Sequence, residues 1–349
     1  MNPRTPRIRP HPGDRAPRRR GALARRVAAG LVAAGLLAAP APAAHAGAAG
    51  VPLEKVEDFG ADPGALDMYV YRPDPLPAGA PAVVALHGCT QDARTYADNS
   101  GLAEFADRYG FLLVLPEQPI ANNIRNCFNW FQAIDNRRGS GEAASIRQMA
   151  AHAVDAYGTD PERVHVTGLS AGGAMTAVML AAYPEAFRAG AAVAGIPYGC
   201  TRDTNPFTCM NPGTDRTPEA WAQRVRDARP GYGGPWPRVA IWHGDQDTTV
   251  VPGNAGELRD QWTEVHGLGQ EPDRTTAIGP GGRTVREEYL SADGSVAVEV
   301  ARVSGIGHGT PVDPGQAERQ CGRTGTPHFI DSICSAYWIT SFFGLDGPA

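Results

Sequence analysis

Arg163-Val164-His165-Val166-Thr167-Gly168-Leu169-Ser170-Ala171-Gly172-Gly173-Ala174-Met175 is the stretch on which the reading of this chain turns. A β-branched run ends in Gly-x-Ser-x-Gly, and small residues in a helical pattern follow at once. That order predicts a buried strand, a tight turn carrying a serine, and a helix. Glycines on either side of the serine leave room for the neighbouring strand and helix, which a Cβ would strike. In this setting Ser170 is a candidate nucleophile rather than a turn serine packed at a strand end.

Strand and helix candidates alternate on both sides of the elbow, as they do when a mostly parallel sheet is covered by helices on both faces. Pro81–Leu86 and Phe111–Leu115 read as buried strands, with a helix predicted from Tyr96 to Tyr109 and ended by Gly110. Ser140 to Tyr157 reads as a helix ended by Gly158, followed by the strand Arg163–Thr167 and the helix Ala171–Tyr183. Further strands are expected at Ala191–Ala194, Val239–Trp242, Arg286–Leu290 and Val296–Arg302. A last helix is expected to carry Ile330, Ile333, Cys334, Tyr337 and Trp338 on one apolar face. Taken together the pattern is that of an α/β-hydrolase fold.

A serine hydroxyl needs a base to remove its proton, and the base needs an acid to orient it. In α/β-hydrolases these follow in the order serine, acid, histidine, each at the C-terminal end of a strand. The acid candidates are Asp245 and Asp247, where the apolar run Val239-Ala240-Ile241-Trp242 enters a polar loop. Spacing does not choose between them, although Asp247 lies further along the turn, where a side chain can point back across the sheet edge. Of nine histidines, His308 alone is late, in a loop and bracketed by glycines, Gly307 and Gly309. It is the candidate base. Leu86-His87-Gly88-Cys89-Thr90 follows the first strong strand, so the backbone N–H of Cys89 is expected to join that of Ala171 in an oxyanion hole.

Residues 1–46 read as an export signal rather than part of the fold. Nine arginines precede Val27, an Ala/Val/Leu stretch runs from Val27 to Ala39, and Ala44-His45-Ala46 has the small-x-small form of a cleavage site. The apolar stretch is too short for a permanent membrane anchor. Residues 47–349 are expected to form one catalytic domain. Without the leader's nine arginines and one aspartate, 23 basic and 36 acidic residues remain, a formal charge of −13. An acidic surface disfavours nucleic acid and anionic membrane as partners; a monomer is expected.

Six cysteines in an exported chain are most simply three disulfides. Sequence order suggests Cys89–Cys127, Cys200–Cys209 and Cys321–Cys334, among the many pairings that six cysteines allow. No paired C-x-x-C spacing points to a metal site, and neither metal nor organic cofactor is expected.

These segments in order resemble the secreted esterases of the poly(3-hydroxybutyrate) depolymerase family, a group similar to the carbohydrate esterases that cleave feruloyl and acetyl groups from xylan. The resemblance is carried by His87-Gly88-Cys89-Thr90-Gln91, Cys127-Phe128-Asn129-Trp130-Phe131, Gly141-Glu142 with Ser145-Ile146, and Gly168-Leu169-Ser170-Ala171-Gly172-Gly173-Ala174-Met175. Ala194-Gly195-Ile196-Pro197-Tyr198-Gly199-Cys200 and His243-Gly244-Asp245-Gln246-Asp247 continue it. It implies a triad of Ser170, Asp247 and His308. The family's acid follows His-Gly-x-x, which favours Asp247 over Asp245.

The activity implied is that of an extracellular serine esterase working through an acyl-enzyme on polysaccharide-linked or polyester substrates. Many polyester depolymerases of this kind resemble two-part proteins with a separate polymer-binding module, whereas this chain stops soon after its last helix. Feruloyl or acetyl esters of xylan are therefore expected first, with poly(3-hydroxybutyrate) as the alternative. A serine peptidase, which would be expected to carry a further domain, and a non-catalytic binding protein, which would be expected to lack part of the triad, come behind both. Trp130 and Trp242, with Phe131, are expected to line an acyl pocket, core packing being the competing reading for Phe131 and Trp242.

Overall fold

The computed structural model of the protein describes residues 50–347; the expected export signal lies outside the described residues. Three strands open the described chain: β1 Glu54–Val56, β2 Asp67–Tyr71 and β3 Ala82–Leu86. Helices α1 Ala93–Asn99 and α2 Leu102–Tyr109 lead to β4 Leu112–Glu117, and α3 Gly141–Tyr157 leads to β5 Val164–Leu169. After α4 Ala171–Ala182 come β6 Ala189–Val193, α5 Pro206–Met210, α6 Pro218–Ala228, β7 Arg238–Gly244 and α7 Gly253–His266. The remainder is β8 Arg274–Ile278, β9 Thr284–Leu290, β10 Val296–Val303, β11 Thr310–Val312, β12 Phe329–Asp331 and α8 Ser335–Phe343.

Ten of these strands form one sheet in the order β1-β2-β4-β3-β5-β6-β7-β10-β9-β8. The run β4-β3-β5-β6-β7-β10 is parallel throughout. All six strands therefore end on the same edge, which is where open α/β sheets place their ligands. Both faces are covered. Val84, Val166 and Ile241 point into one apolar cluster, while Val83, Ala85 and Trp242 point into the other. That is the expected α/β-hydrolase architecture, and α4, buried at every residue, lies at its centre.

Two expectations about the elements are corrected. The helix predicted over Tyr96–Tyr109 is two helices, broken at Ser100-Gly101, where Gly101 has φ 83°. A Cβ on Gly101 would lie 2.8 Å from Cβ of Cys321, so the bridged C-terminal loop packs into the break. The apolar stripe from Ile330 to Trp338 is not one helical face. Ile330 lies on β12, paired in parallel with β11, and Cys334 caps α8 by accepting from the Tyr337 N–H. The antiparallel strands β1, β2 and β8 widen the sheet beyond the strands legible in the sequence. Both glycine stops hold: Gly110 and Gly158 take the left-handed conformation, φ 69° and 66°, and end α2 and α3.

Candidate active site

Ser170 stands between β5 and α4 with φ 57° and ψ −114°, a backbone conformation that a residue with a Cβ adopts only under constraint. The constraint is visible on all sides. The Ser170 N–H donates to Val193 O at 2.9 Å, and its carbonyl accepts from Ala174 N at 2.8 Å. A Cβ on Gly168 would lie 2.6 Å from Gly172 O and 2.7 Å from Leu86 O; one on Gly173 would lie 2.7 Å from Val193 O. Strand, turn and helix approach closely only because these residues are glycine. Ser170 keeps 9 % of its surface exposed.

Asp247 and His308 are joined directly. His308 Nδ1 lies 2.7 Å from Asp247 Oδ2. The other oxygen of Asp247, Oδ1, accepts from the N–H groups of Thr249 and Val250, each at 2.9 Å. His243 Nε2 approaches Oδ2 at 3.4 Å while donating to Val250 O at 2.7 Å. Burial by itself would raise this carboxyl, but the hydrogen bonds from His243 and His308 outweigh it and hold the group well below the usual carboxylate range. Asp245 is exposed and takes a different part: its Oδ1 accepts from Gly305 N at 2.7 Å, steadying the loop that leads to His308.

That loop crosses the end of β7, since a Cβ on Gly244 would lie 2.7 Å from Gly307 O, and Gln246 N donates to Ile306 O at 3.0 Å. It then meets the segment closed by Cys321–Cys334. Thr310 N donates to His328 O at 2.8 Å, and the rings of His308 and His328 stand edge to face with centroids 5.4 Å apart. Among the described residues the Ser170 hydroxyl forms no hydrogen bond, so the structure joins His308 to Asp247 but not to Ser170.

The loop after β3 reaches the same edge. His87 is fully buried, accepts from Gln118 N on Nε2 at 3.1 Å, and so carries its proton on Nδ1, which donates to Gly88 O at 2.8 Å. Burial lowers it to about 4 and keeps it neutral. Among the described residues neither the Cys89 N–H nor the Ala171 N–H is taken up by a hydrogen bond, whereas Gly88 N and Thr90 N are both engaged, with Gln91 Oε1 and Arg125 O. Cys89 is bridged to Cys127. The other bridges are Cys200–Cys209 and Cys321–Cys334, all three in the expected pairing.

A feature that the sequence did not reveal holds the Cys127 side. Glu142, at the start of α3, is buried and accepts from Asn129 N at 2.7 Å, Asn129 Nδ2 at 2.7 Å and Gln118 Nε2. Gln118 Nε2 also donates to Cys127 O at 3.0 Å. Burial outweighs these donors and pushes the carboxyl up to about 8. Within the segment from Ile196 to Pro237, the end of α5 is bonded to the acid loop: Val251 N donates to Met210 O at 2.9 Å, and Asn211 Nδ2 donates to Thr248 O at 3.0 Å.

The two expected pocket tryptophans fare differently. Trp242 is 0 % exposed, on a strand whose two faces are both covered, and it packs in the core rather than lining a pocket. Trp130 is 8 % exposed and meets Phe131 edge to face at 5.6 Å on the loop that carries Cys127. Among the described residues no group of three or more His, Cys, Asp or Glu is placed to hold a metal, and no helix is long and apolar enough to cross a membrane. A cleft lined by Phe187, Tyr232 and Trp236 opens at the opposite edge, where β6 and β7 begin, and shares no residue with this site.

Residues 68–288 match the family described as Esterase PHB depolymerase. The chain is 47 % identical over 296 residues to a poly(3-hydroxyalkanoate) depolymerase C of Paucimonas lemoignei, covering 84 % of this chain and 70 % of that one. It is 37 % identical over 269 residues to a feruloyl esterase B of Neurospora crassa, covering 75 % and 89 % of the two chains. Among solved structures it is similar to an acetyl xylan esterase from Aspergillus awamori, with a TM-score of 0.68 and 33 % identity over 74 % of this chain and 94 % of that one.

Proposed function

Because this chain belongs to the esterase PHB depolymerase family and is an ester hydrolase, we propose that Ser170, His308 and Asp247 are its catalytic triad. The observation that carries the assignment is the 2.7 Å contact between His308 Nδ1 and Asp247 Oδ2, on the sheet edge where Ser170 occupies the strained elbow. Asp247 accepts the Nδ1 proton of His308 and leaves Nε2 free as the base. On substrate binding Nε2 takes the Ser170 hydroxyl proton, a contact that commonly tightens only in the complex. Ser170 Oγ then bonds to the carbonyl carbon, and the oxyanion is held by the N–H groups of Cys89 and Ala171. His308 returns the proton to the departing alcohol, leaving an acyl-serine. Water, deprotonated by His308, releases the acid and restores the hydroxyl.

For the substrate, the stronger identity to the depolymerase moves the weight from xylan esters towards an aliphatic hydroxyalkanoate polyester. Exposed apolar side chains favour the same reading. Ile124 is 86 % exposed, and its neighbour Arg125 accepts from Thr90 N beside Cys89 at 2.6 Å. Phe207 is 77 % exposed on α5, whose end is bonded to the acid loop. Large apolar side chains left in water beside a site suit an apolar, insoluble substrate. The xylan-ester reading is favoured by the likeness to an acetyl xylan esterase structure. Three disulfides fit an oxidising compartment, and the arginine-rich leader fits export, so the protein is proposed to act outside the cell.

The test compares clearing of an amorphous poly(3-hydroxybutyrate) suspension with release from acetylated xylan and methyl ferulate, using Ser170→Ala as control. Clearing by wild type alone supports the polyester reading. Acetate or ferulate release without clearing assigns xylan esters instead, and an active Ser170→Ala removes the nucleophile assignment.

A further inference from the structure

Gln91 is not used by the mechanism above, yet both ends of its buried amide are engaged. Its Oε1 accepts from Gly88 N at 2.7 Å, and its Nε2 donates to Pro327 O at 2.6 Å, across 236 residues of sequence. One partner is a main-chain group one residue from the chemistry, and the other adjoins a residue packed against the base. Gly88 precedes Cys89, the proposed oxyanion donor. Pro327 precedes His328, whose carbonyl holds Thr310 N at 2.8 Å and whose ring lies against His308.

We propose that Gln91 is a positioning residue that clamps the oxyanion loop to the Pro327–His328 segment packed against the base, fixing the Cys89 N–H relative to His308. The inference rests on the triad and oxyanion assignments made above. Apart from the clamp, the oxyanion loop is held by β3 and the Cys89–Cys127 bridge, and the Pro327–His328 segment by the Cys321–Cys334 bridge and by bonds to α1 and α2, Arg323 N to Asn99 O and Gly322 N to Glu104 Oε1, each at 3.0 Å. An amide suits the position because one end must accept and the other must donate. Methionine fills a similar volume and does neither. A carboxylate accepts from Gly88 N but meets the Pro327 carbonyl with a second acceptor; only its protonated form restores both bonds.

That difference supplies the test. Wild type, Gln91→Met, Gln91→Glu and Ser170→Ala are compared on p-nitrophenyl butyrate, with kcat, KM and Tm measured from about pH 5.5 to about pH 8. Each value is taken relative to wild type at the same pH. Loss of alignment between base and oxyanion hole is expected to lower kcat of Gln91→Met about 10- to 100-fold at every pH, with KM changed by less than about threefold. Gln91→Glu is expected to be as poor at about pH 8 and to recover towards wild type as the pH falls and its carboxyl is protonated.

A packing role alone would lower Tm without a pH-dependent rescue. Variants that keep the wild-type Tm and stay within about threefold of its kcat throughout would overturn the clamp, provided Ser170→Ala is inactive. So would a Gln91→Glu protein that remains folded yet gains nothing at low pH. Should Gln91→Met fail to fold, the rescue of Gln91→Glu decides. Turnover by Ser170→Ala would instead remove the mechanism on which the clamp rests.

Discussion

Asp247 holds His308 with one oxygen and its own turn with the other: Oδ2 lies 2.7 Å from His308 Nδ1, while Oδ1 takes the Thr249 and Val250 N–H groups. The carboxylate is therefore aimed as well as charged. In Asp247→Asn an amide that keeps the turn bonds on its oxygen points N–H donors at Nδ1, which then accepts and gives up its proton to Nε2. The base would be in the wrong tautomer. The kcat/KM on p-nitrophenyl butyrate is expected to fall about 10³- to 10⁴-fold. Asp245→Asn keeps an acceptor for Gly305 N and is expected to lose less than about tenfold. The reverse ranking would move the acid to Asp245.

Ser170 holds its place at the sheet edge with a backbone that suits glycine, φ 57° and ψ −114°. Alanine at this position keeps the Cβ and the strain, whereas glycine removes both. Ser170→Gly and Ser170→Ala are both expected to be inactive. The glycine variant is expected to be the more stable by about 1 kcal/mol after its entropy cost, roughly 2–4 °C in Tm. Equal melting temperatures would show that the elbow stores no strain.

What was legible in the sequence is what local rules govern. The elbow is written in adjacent residues, and the stops at Gly110 and Gly158 are single-residue signals. What was not legible depends on distant partners. Gly101 breaks a helix because Cys321 comes to lie against it, 220 positions later in the chain. Ile330 leaves the helical stripe because β11 pairs with its strand. Pocket and core both stay open for Trp242 in the sequence because β7 is covered on both faces, so no polar alternation marks which side of the strand meets the site. Glu142 and Gln91 stood in quoted motifs, but a buried polar residue reveals its part only when its partners are known.

Glu142 predicts a pH dependence. Its carboxyl is raised to about 8 by burial, above the unfolded value near 4.5. A group raised on folding adds stability that is full below its unfolded pKa and lost as pH rises through its folded one. Urea midpoints are expected to fall between about pH 5 and about pH 9, with Glu299, raised to about 7 by burial, contributing in the same sense. Glu142→Gln isolates the first. It removes that titration and, like the protonated carboxyl, turns one donor towards Asn129 or Gln118, so the two proteins are expected to be about equally stable at low pH. The variant is expected to become the more stable of the two as pH rises. Parallel curves would place the titration elsewhere.

The bridges differ in what they hold. Cys89 and Cys127 are 38 residues apart and Cys200 and Cys209 are 9 apart, so chain entropy assigns about 4 and about 2.5 kcal/mol to the two closures. Activity separates them more sharply. The first bridge fixes the loop that presents the Cys89 N–H, whereas the second closes the wall behind the acid loop. Replacing Cys89 and Cys127 together by serine is expected to lower kcat about 10- to 100-fold at temperatures where the protein stays folded. The paired replacement of Cys200 and Cys209 is expected to lower Tm while kcat stays within about threefold. Because serine keeps the backbone N–H at position 89, a fall in kcat there measures the donor's placement and not its loss. An unchanged kcat in a folded Cys89→Ser/Cys127→Ser protein would mean that Gln91 and the Thr90–Arg125 bond hold the oxyanion loop without the bridge.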